Sequence, residues 1–196
     1  MFFIGVVTMA TFELTDTPIL NSNAQILILP VNTSGTLLDP VLSRTKTLYL
    51  DNYQRYHRAC RDGSLLVGSC LLHKRQREHL GLSVSHNGNQ PDYIANLVIS
   101  DHPYHPTRTR WLSAALLDLQ QQLVPLIRYQ GIRKVAILAR PLLFDNTSNT
   151  REDKEGNPEN ILPLDWQTTT FPLIKQYLQG LPKLRIAVHV PKGIEN

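Results

Sequence analysis

The sequence predicts an α/β fold in which helices cover both faces of a mostly parallel sheet. One observation is that apolar, strand-like segments alternate with helix-like segments along the chain. Another is that residues 25–31, QILILPV, form an unbroken apolar run, which is typical of a strand buried on both faces. A third is the helical spacing of leucines between Leu112 and Ile127. With 196 residues, the chain is expected to form a single domain.

The first half of the chain predicts three strands and two helices. Pro40 suits the first turn of a helix, Asp51 is placed to cap the next helix, and Asp62-Gly63 ends it. In chain order, the predicted elements are a strand at 10–14, a strand at 25–31, a helix from 40 to 48, a helix from 51 to 61 and a strand at 65–72. The polar stretch 73–90 then predicts a long loop or a hairpin.

The second half of the chain predicts three strands, two helices and two irregular segments. Pro103 and Pro106 make residues 101–110 irregular, and Gly131 ends the leucine-rich helix. Residues 141–163 are polar and interrupted by prolines, and a gap of that length in a compact domain is usually functional or disordered. In chain order, the predicted elements are a strand at 93–99, a helix from 112 to 130, a strand at 134–139, a helix from 165 to 179 and a strand at 184–190.

The composition excludes several classes of protein. Hydrophobic residues make up 42% of the chain and charged residues 18%, which excludes a disordered protein. No apolar run approaches about 18 residues, so we expect no membrane span. Cys60 and Cys70 are too few for a disulfide framework, and we interpret them as reduced thiols of a cytoplasmic protein.

The charge of the chain is mildly positive. Twenty Lys and Arg residues against sixteen Asp and Glu residues give a net charge of +4, which allows a polyanionic partner without requiring one. We interpret the basic clusters at 73–77 and 108–110 as solvated loops, with phosphate contact by Arg108 as the alternative. His102 and His105 share one loop without the further ligands that zinc needs, so no metal site is predicted.

Three loops are candidates for a ligand site. In parallel α/β sheets, ligands bind beyond the carboxyl ends of the strands, where loops converge. The loops at 32–39, 100–111 and 140–164 all follow predicted strands in this way. The chain contains neither a G-x-S-x-G nucleophile elbow nor a G-x-x-x-x-G-K-[ST] phosphate loop.

Short blocks of sequence, spread along most of the chain, carry a family resemblance. Val31-Asn32-Thr33-Ser34-Gly35 is followed, after a helix, by Asp51-Asn52-Tyr53-x-x-Tyr56 and the stretch from Gly63 to Gly68. Further along the chain are Pro106-Thr107-Arg108, the segment GIRKVAI at 131–137, and Leu164-Asp165-Trp166 with Pro172-Leu173-Ile174. Together these blocks resemble the macrodomain family, and within it the branch that includes DarG macrodomains and terminal ADP-ribose glycohydrolases.

The resemblance implies a three-layer α/β/α sandwich with a mixed, mostly parallel sheet of about six strands. Residues 11–191 would form one macrodomain-like domain with an insertion at 141–163, and residues 192–196 a tail. Residues 1–10 would be an N-terminal extension or an extra edge strand, and Met9 is an alternative start. The segment 1–10 lacks the basic region of a signal peptide.

The resemblance also implies a ligand. Macrodomains bind ADP-ribose, and the glycohydrolase branch removes it from a modified acceptor. Backbone N–H groups cradle the diphosphate, and glycine lets the chain approach it closely. The ligand-binding residues implied for this chain are Asn32, Thr33, Ser34, Gly35, Thr36, Arg108 and Asp16.

Three positions depart from the family pattern. The adenine-reading Asp of the family falls on Pro18, so that the neighbouring Asp16 is the substitute. The lysine of the family falls on Asp39, which we expect to cap a helix, with general acid or base catalysis as the alternative. The second glycine-rich loop of the family is replaced by Arg140-Pro141-Leu142-Leu143-Phe144 and a polar insertion at 145–160.

These departures leave three hypotheses for function. The first is a degenerate macrodomain that binds ADP-ribose, a related nucleotide or an ADP-ribosylated macromolecule with little or no hydrolase activity. The second is an active ADP-ribosyl glycohydrolase that acts on DNA or protein through Asp39 or an acid of the insertion. The third is a scaffold that has lost nucleotide binding. No cofactor and no membrane partner are expected, whereas a nucleic-acid partner is allowed.

Overall fold

The computed structural model describes residues 9–76, 90–143 and 164–194. In this part of the chain, six strands form one sheet. They are β1 (Thr11–Thr15), β2 (Ile26–Asn32), β3 (Cys70–Lys74), β4 (Tyr93–Ser100), β5 (Lys134–Leu138) and β6 (Arg185–His189). The helices are α1 (Pro40–Leu48), α2 (Leu50–Arg61), α3 (Thr109–Tyr129), α4 (Arg140–Leu143) and α5 (Phe171–Leu178), with a 3₁₀ turn at Ile19–Asn21 and a π-helical turn at Trp166–Thr170.

Several predicted segments lie outside the described residues. They are most of the N-terminal extension (1–8), most of the polar stretch after β3 (77–89), most of the insertion (144–163) and the end of the tail (195–196).

The sheet is mixed and mostly parallel, as predicted. Its strand order is β1-β6-β5-β2-β4-β3, and β3 alone among these strands runs antiparallel to its neighbour. The carboxyl ends of the five parallel strands therefore meet at one edge, which we name the carboxyl edge. The loops that follow β2, β4 and β5 leave from this edge.

Two helical layers cover the sheet and complete the predicted three-layer sandwich. Every residue of β2 and β4 is buried, because alternate side chains enter cores on opposite faces. The core between the sheet and α3 and α5 includes Ile26, Ile28, Leu116, Leu119 and Ile174. The core between the sheet and α1 and α2 includes Leu27, Leu29, Leu42, Tyr49 and Tyr56. Trp166 lies in the first core, where its side chain is buried.

The third strand lies further along the chain than predicted. Residues 65–69 form a turn, and β3 begins only at Cys70. The cause is Gly68, which has a φ of +86° and lies so close to α3 that an added Cβ would be 3.1 Å from Ala114 Cβ. A left-handed residue is incompatible with an extended strand, so the predicted strand exists but its predicted start at residue 65 was wrong.

Two further sequence interpretations are corrected at the opposite edge of the sheet. Asp51 does not cap α2, because Tyr49 precedes that helix and Asp51 lies in its first turn. Its carboxylate instead contacts His73 Nε2 at 2.9 Å and Arg75 Nε at 3.5 Å. The described part of the basic cluster, residues 73–76, is not a simple solvated loop, since the side chains of His73 and Arg75 are only 8% and 12% exposed.

Candidate functional site

A cavity of about 280 Å³ opens at the carboxyl edge of the sheet. All three loops that the sequence pointed to contribute to its wall. From the loop after β2 come Thr36, Leu37, Leu38 and Asp39; from the loop after β4 come Pro103, His105, Pro106 and Thr107; and from the segment after β5 come Arg140, Pro141 and Leu142. Strand residues, α1 and Leu164 complete the lining. The position agrees with the general rule for ligand sites in α/β sheets.

The loop after β2 is held in shape by its own side chains. Asn32 Nδ2 donates to the Thr36 carbonyl at 2.7 Å, and the Ser34 hydroxyl donates to Asn32 Oδ1 at 2.8 Å. The Thr36 N–H in turn donates to the Ser34 hydroxyl at 3.3 Å. Asn32 and Ser34 therefore shape the loop that carries Thr36 into the cavity wall.

Gly35 lies where this loop passes over α2. Its φ is +76°, a conformation that side chains disfavour, and an added Cβ would lie 3.4 Å from His57 Cδ2 and 3.5 Å from Cys60 Cβ. Burial raises the pKa of the Cys60 thiol, so Cys60 packs against the loop as a neutral side chain. These distances are ordinary van der Waals contacts, so it is the left-handed backbone at this position that favours glycine.

Asp39 has two roles in the cavity wall. Its Oδ1 accepts hydrogen bonds from the backbone N–H groups of Val41 and Leu42, at 2.8 and 3.2 Å, which confirms the expected helix cap. Its Oδ2 lies 3.1 Å from Arg140 Nε. Both oxygens of the carboxylate are therefore engaged, one by α1 and one by the segment after β5.

The loop after β4 is tied to the loop after β2. The Thr33 hydroxyl donates to the Asp101 carbonyl at 3.2 Å, and the Thr33 N–H donates to the Ser100 carbonyl at 3.1 Å. The Asp101 carboxylate contacts His105 Nδ1 at 2.9 Å. Partial burial opposes ionisation of Asp101, but the hydrogen bond and charge of His105 outweigh it and lower the pKa of this carboxyl. His105 is thereby oriented beside the cavity.

Arg108 and Asp16 lie outside the cavity lining. The Arg108 guanidinium stacks over the half-buried ring of Trp111 at 4.7 Å, and Arg110 lies 5.7 Å from the same ring. Asp16 is exposed in the loop after β1, at the far end of the carboxyl edge. Three strand spacings of about 4.8 Å separate β1 from β2, so these two strands lie about 14 Å apart in the sheet.

The predicted site residues therefore fall into three groups. Thr36 and Asp39 line the cavity, and Asn32, Thr33, Ser34 and Gly35 support its wall. Arg108 and Asp16 are elsewhere on the same edge, so that a ligand role for either stays a prediction.

Sequence reasoning did not single out Leu37, Leu38, His105 or Arg140 as parts of the cavity wall. The signal available for Arg140 was its place directly after a buried strand, inside a loop already predicted to converge on the site.

The described residues contain neither a metal-binding cluster nor a membrane-spanning helix. Within residues 9–76, 90–143 and 164–194, no three His, Cys, Asp or Glu side chains gather closely enough to hold a metal ion. In the same part of the chain, no helix has both the length and the apolar character that a bilayer span requires.

Comparisons with known proteins add one curated relative. No protein-family model matches the chain. A DNA ADP-ribosyl glycohydrolase of Thermus aquaticus is 29% identical over 124 residues, which is 63% of this chain. The match spans about 30% of that relative's length, so the relative is a much longer protein.

Solved structures match nearly the whole chain. The macrodomain of Thermus aquaticus DarG has a TM-score of 0.67 and 24% identity, and the match covers 93% of this chain and 99% of that structure. DarTG of Thermosipho africanus, solved in complex with ADP-ribose, has a TM-score of 0.67 and 19% identity, covering 94% of this chain and 43% of that one. At these identities the structural matches show the fold alone.

Proposed function

Because this chain is a DarG-like macrodomain in fold, we propose that it binds ADP-ribose or a related nucleotide at the carboxyl edge, with lost or reduced hydrolase activity. The observation that carries the proposal is the cavity lined by Thr36, Asp39 and Arg140. Its volume of about 280 Å³ is near the lower end for small-molecule sites. Its wall combines apolar side chains with a few polar groups, as such sites do.

The loop after β2 supplies donors for a diphosphate. Among the described residues, no atom accepts a hydrogen bond from the backbone N–H of Leu37 or Leu38. Both residues line the cavity. Backbone N–H groups without an internal acceptor bind phosphate oxygens well, because they are fixed in place and need no side-chain ordering. This arrangement supports the diphosphate cradle that the resemblance implied.

The chemistry of the cavity wall supports reduced hydrolysis. The position where the family has a lysine holds Asp39, and the described lining residues include no lysine. Asp39 caps α1 through Oδ1 and pairs with Arg140 through Oδ2, and its carboxylate cannot form a Schiff base as a lysine amine can. These contacts favour a binding module over an enzyme.

Two other functions remain as alternatives. An active ADP-ribosyl glycohydrolase is favoured by the activity in the name of the curated relative and by the place of Asp39 in the cavity wall. In that case the acceptor would be DNA or protein, and only a DNA acceptor would make nucleic acid a partner. A scaffold that has lost the nucleotide would keep the fold without using the cavity.

Ligand-induced thermal stabilisation tests the proposal. ADP-ribose at a hundredfold excess over its dissociation constant stabilises the folded state by about 2.7 kcal/mol, which raises Tm by about 5–10 °C for a domain of this size. We expect such a rise with ADP-ribose and with ADP. No rise at millimolar ADP-ribose would contradict the proposal and favour the scaffold.

A release assay separates binding from hydrolysis. With ADP-ribosylated DNA or protein as the substrate, we expect ADP-ribose release by this chain to be close to the background. Rapid release that Asp39→Asn abolishes would contradict reduced activity and identify the active glycohydrolase. Asn keeps the helix cap, so this variant tests the charge of Asp39 without removing the cap of α1.

A further inference from the structure

An ion pair joins two of the three segments that form the cavity wall. Arg140, directly after β5, places its Nε 3.1 Å from Oδ2 of Asp39, at the start of α1. Both residues line the cavity. The side chain of Asp39 is 11% exposed and that of Arg140 is 46% exposed, so the arginine is the partner that faces the open space.

The two side chains of this ion pair differ in length and in exposure to solvent. Asp39 is short, and its Oδ1 is fixed by hydrogen bonds to two backbone N–H groups of α1. Arg140 has a longer side chain with more rotatable bonds, and 46% of that side chain is exposed. A ligand that competes for this pair would therefore move Arg140 rather than Asp39.

The ion pair includes two of the ionisable side chains that line the cavity, so it affects how strongly the cavity attracts an anion. Asp39, Arg140 and His105 are the ionisable side chains among the described residues that line the cavity. Asp39 and Arg140 neutralise each other, so the wall offers little net attraction for an anion before a ligand enters. A guanidinium adds a positive charge to the backbone donors of the loop after β2, and its planar fork matches two phosphate oxygens at once.

We propose that Arg140 binds the diphosphate of the ligand, and that Asp39 competes with the ligand for Arg140. The inference rests on the proposed function and adds to it the residue that recognises the charged part of the nucleotide. The carboxylate of Asp39 lowers affinity for diphosphates in two ways: it occupies Arg140, and it repels the phosphates. The diphosphate prevails because it carries more charge than one carboxylate and accepts hydrogen bonds in the bidentate arrangement.

Calorimetric titration of ADP-ribose, ADP and adenosine into three variants tests the inference. Arg140→Gln should weaken ADP-ribose and ADP binding by about tenfold or more, because a hydrogen-bonded charge contact is lost. Asp39→Asn should tighten both by about three- to tenfold, because it removes a like charge and keeps the helix cap. The double variant should bind more tightly than Arg140→Gln. Binding of uncharged adenosine should be equal in all.

Arg128→Gln is the matched control. Arg128 is an exposed arginine in the last turn of α3, which returns from β4 to the opposite edge of the sheet. The variant removes the same charge from the whole protein at a distance from the cavity, so we expect wild-type affinities. Arg140→Lys, which keeps the charge and loses the fork, should lie between the wild type and Arg140→Gln.

The outcomes separate the inference from the proposed function. If the wild type binds ADP-ribose and Arg140→Gln binds it equally well, the inference alone is wrong. A loss of adenosine binding that equals the loss of ADP-ribose binding also overturns it, since the cavity has then changed shape. Unchanged or weaker ADP-ribose binding by Asp39→Asn overturns the competition between Asp39 and the ligand. If the wild type binds none of the three ligands, the proposed function fails and the inference fails with it.

Discussion

The hydroxyl of Tyr56 donates a hydrogen bond of 2.6 Å to the backbone carbonyl of Asn32, which joins α2 to the end of β2. Tyr56 is 1% exposed, and burial raises the pKa of its phenol, so the hydroxyl is a neutral donor at all physiological pH values. Cys60 Sγ makes a weak contact with the same carbonyl, at 3.8 Å. The loop that lines the cavity therefore begins at a carbonyl anchored by one buried side chain.

Tyr56→Phe should destabilise the protein and weaken the ligand site. The variant removes the hydrogen bond from the Tyr56 hydroxyl to the buried Asn32 carbonyl, so the free energy of unfolding should fall by about 1–2 kcal/mol in urea titrations. ADP-ribose affinity should fall as the loop loses its anchor. Tyr53→Phe, on the half-buried side of the same helix, is the control and should change neither quantity. Equal effects of the two variants would contradict the role of Tyr56.

Gly35→Ala should also affect both stability and the site. Its φ of +76° costs a side chain about 1–2 kcal/mol, and the new Cβ would meet His57 at 3.4 Å. We expect a lower Tm and weaker ADP-ribose binding. Gly180→Ala is the control, because Gly180 has no positive φ and nothing lies within 4 Å of an added Cβ. A folded Gly35→Ala variant with wild-type affinity would show that the loop after β2 does not contact the ligand.

His189 links the end of β6 to the loop that carries Asp16. Its Nδ1 lies 2.7 Å from the Thr17 carbonyl, and a carbonyl only accepts, so the proton is on Nδ1. Its Nε2 is buried and has no hydrogen-bond partner among the described residues. Burial lowers the pKa of His189, although the Thr17 carbonyl and the charge of Glu13 oppose this shift.

This burial predicts a stability change in mild acid. Above the unfolded pKa of about 6.5, His189 is neutral in both states and its stabilising contribution is complete. As the pH falls below 6.5, His189 binds a proton in the unfolded chain but stays neutral in the folded state. The free energy of unfolding therefore decreases until the pH passes the lower pKa of the folded state. Urea titrations between pH 7.5 and pH 5 should show this slope.

His189→Gln should reduce the dependence of the free energy of unfolding on pH between 7.5 and 5. The control is His57→Gln, at an exposed histidine, which should leave that dependence unchanged. The depressed pKa values of Asp51 and Asp101 act in a separate window, because acids of this kind lose their stabilising contribution only below the unfolded value of about 3.8. A wild-type slope in His189→Gln would mean that another group titrates.

The sequence was informative where structure depends on local pattern. The apolar run of β2, the leucine spacing of α3 and the cap at Asp39 are all encoded within a few consecutive residues, and each was predicted correctly. The carboxyl edge was located by a general rule about parallel sheets.

The sequence was uninformative where structure depends on contacts between distant segments. The late start of β3 depends on how closely Gly68 approaches Ala114 of α3, and no local pattern reports that distance. The Asp39–Arg140 pair is formed by segments that follow different strands, so it emerges only when β2 and β5 are placed side by side. The contact between His189 and Thr17 could not be predicted from the sequence either, because it also joins distant segments of the chain.

The carboxylate of Asp51 organises the sheet edge opposite the cavity. It contacts His73 Nε2 at 2.9 Å and Arg75 Nε at 3.5 Å, and it accepts the Gln76 N–H at 3.1 Å. Burial raises the pKa of Asp51, but these hydrogen bonds and the charge of Arg75 outweigh it, so the net shift is downward. The Arg75 guanidinium also lies 4.6 Å from the Tyr49 ring. One carboxylate thus joins α2 to the end of β3.

Asp51→Asn should therefore lower stability without changing the ligand site. Loss of the carboxylate leaves His73 and Arg75 mostly buried without this charged partner. We therefore expect urea titrations to show a free energy of unfolding that is lower by about 2 kcal/mol. Asp62→Asn is the matched control on the same helix: its exposed pair with Arg61 at 3.8 Å should contribute less than about 0.5 kcal/mol. ADP-ribose affinity of folded Asp51→Asn should equal that of the wild type. A lower affinity would mean that the two edges of the sheet are coupled.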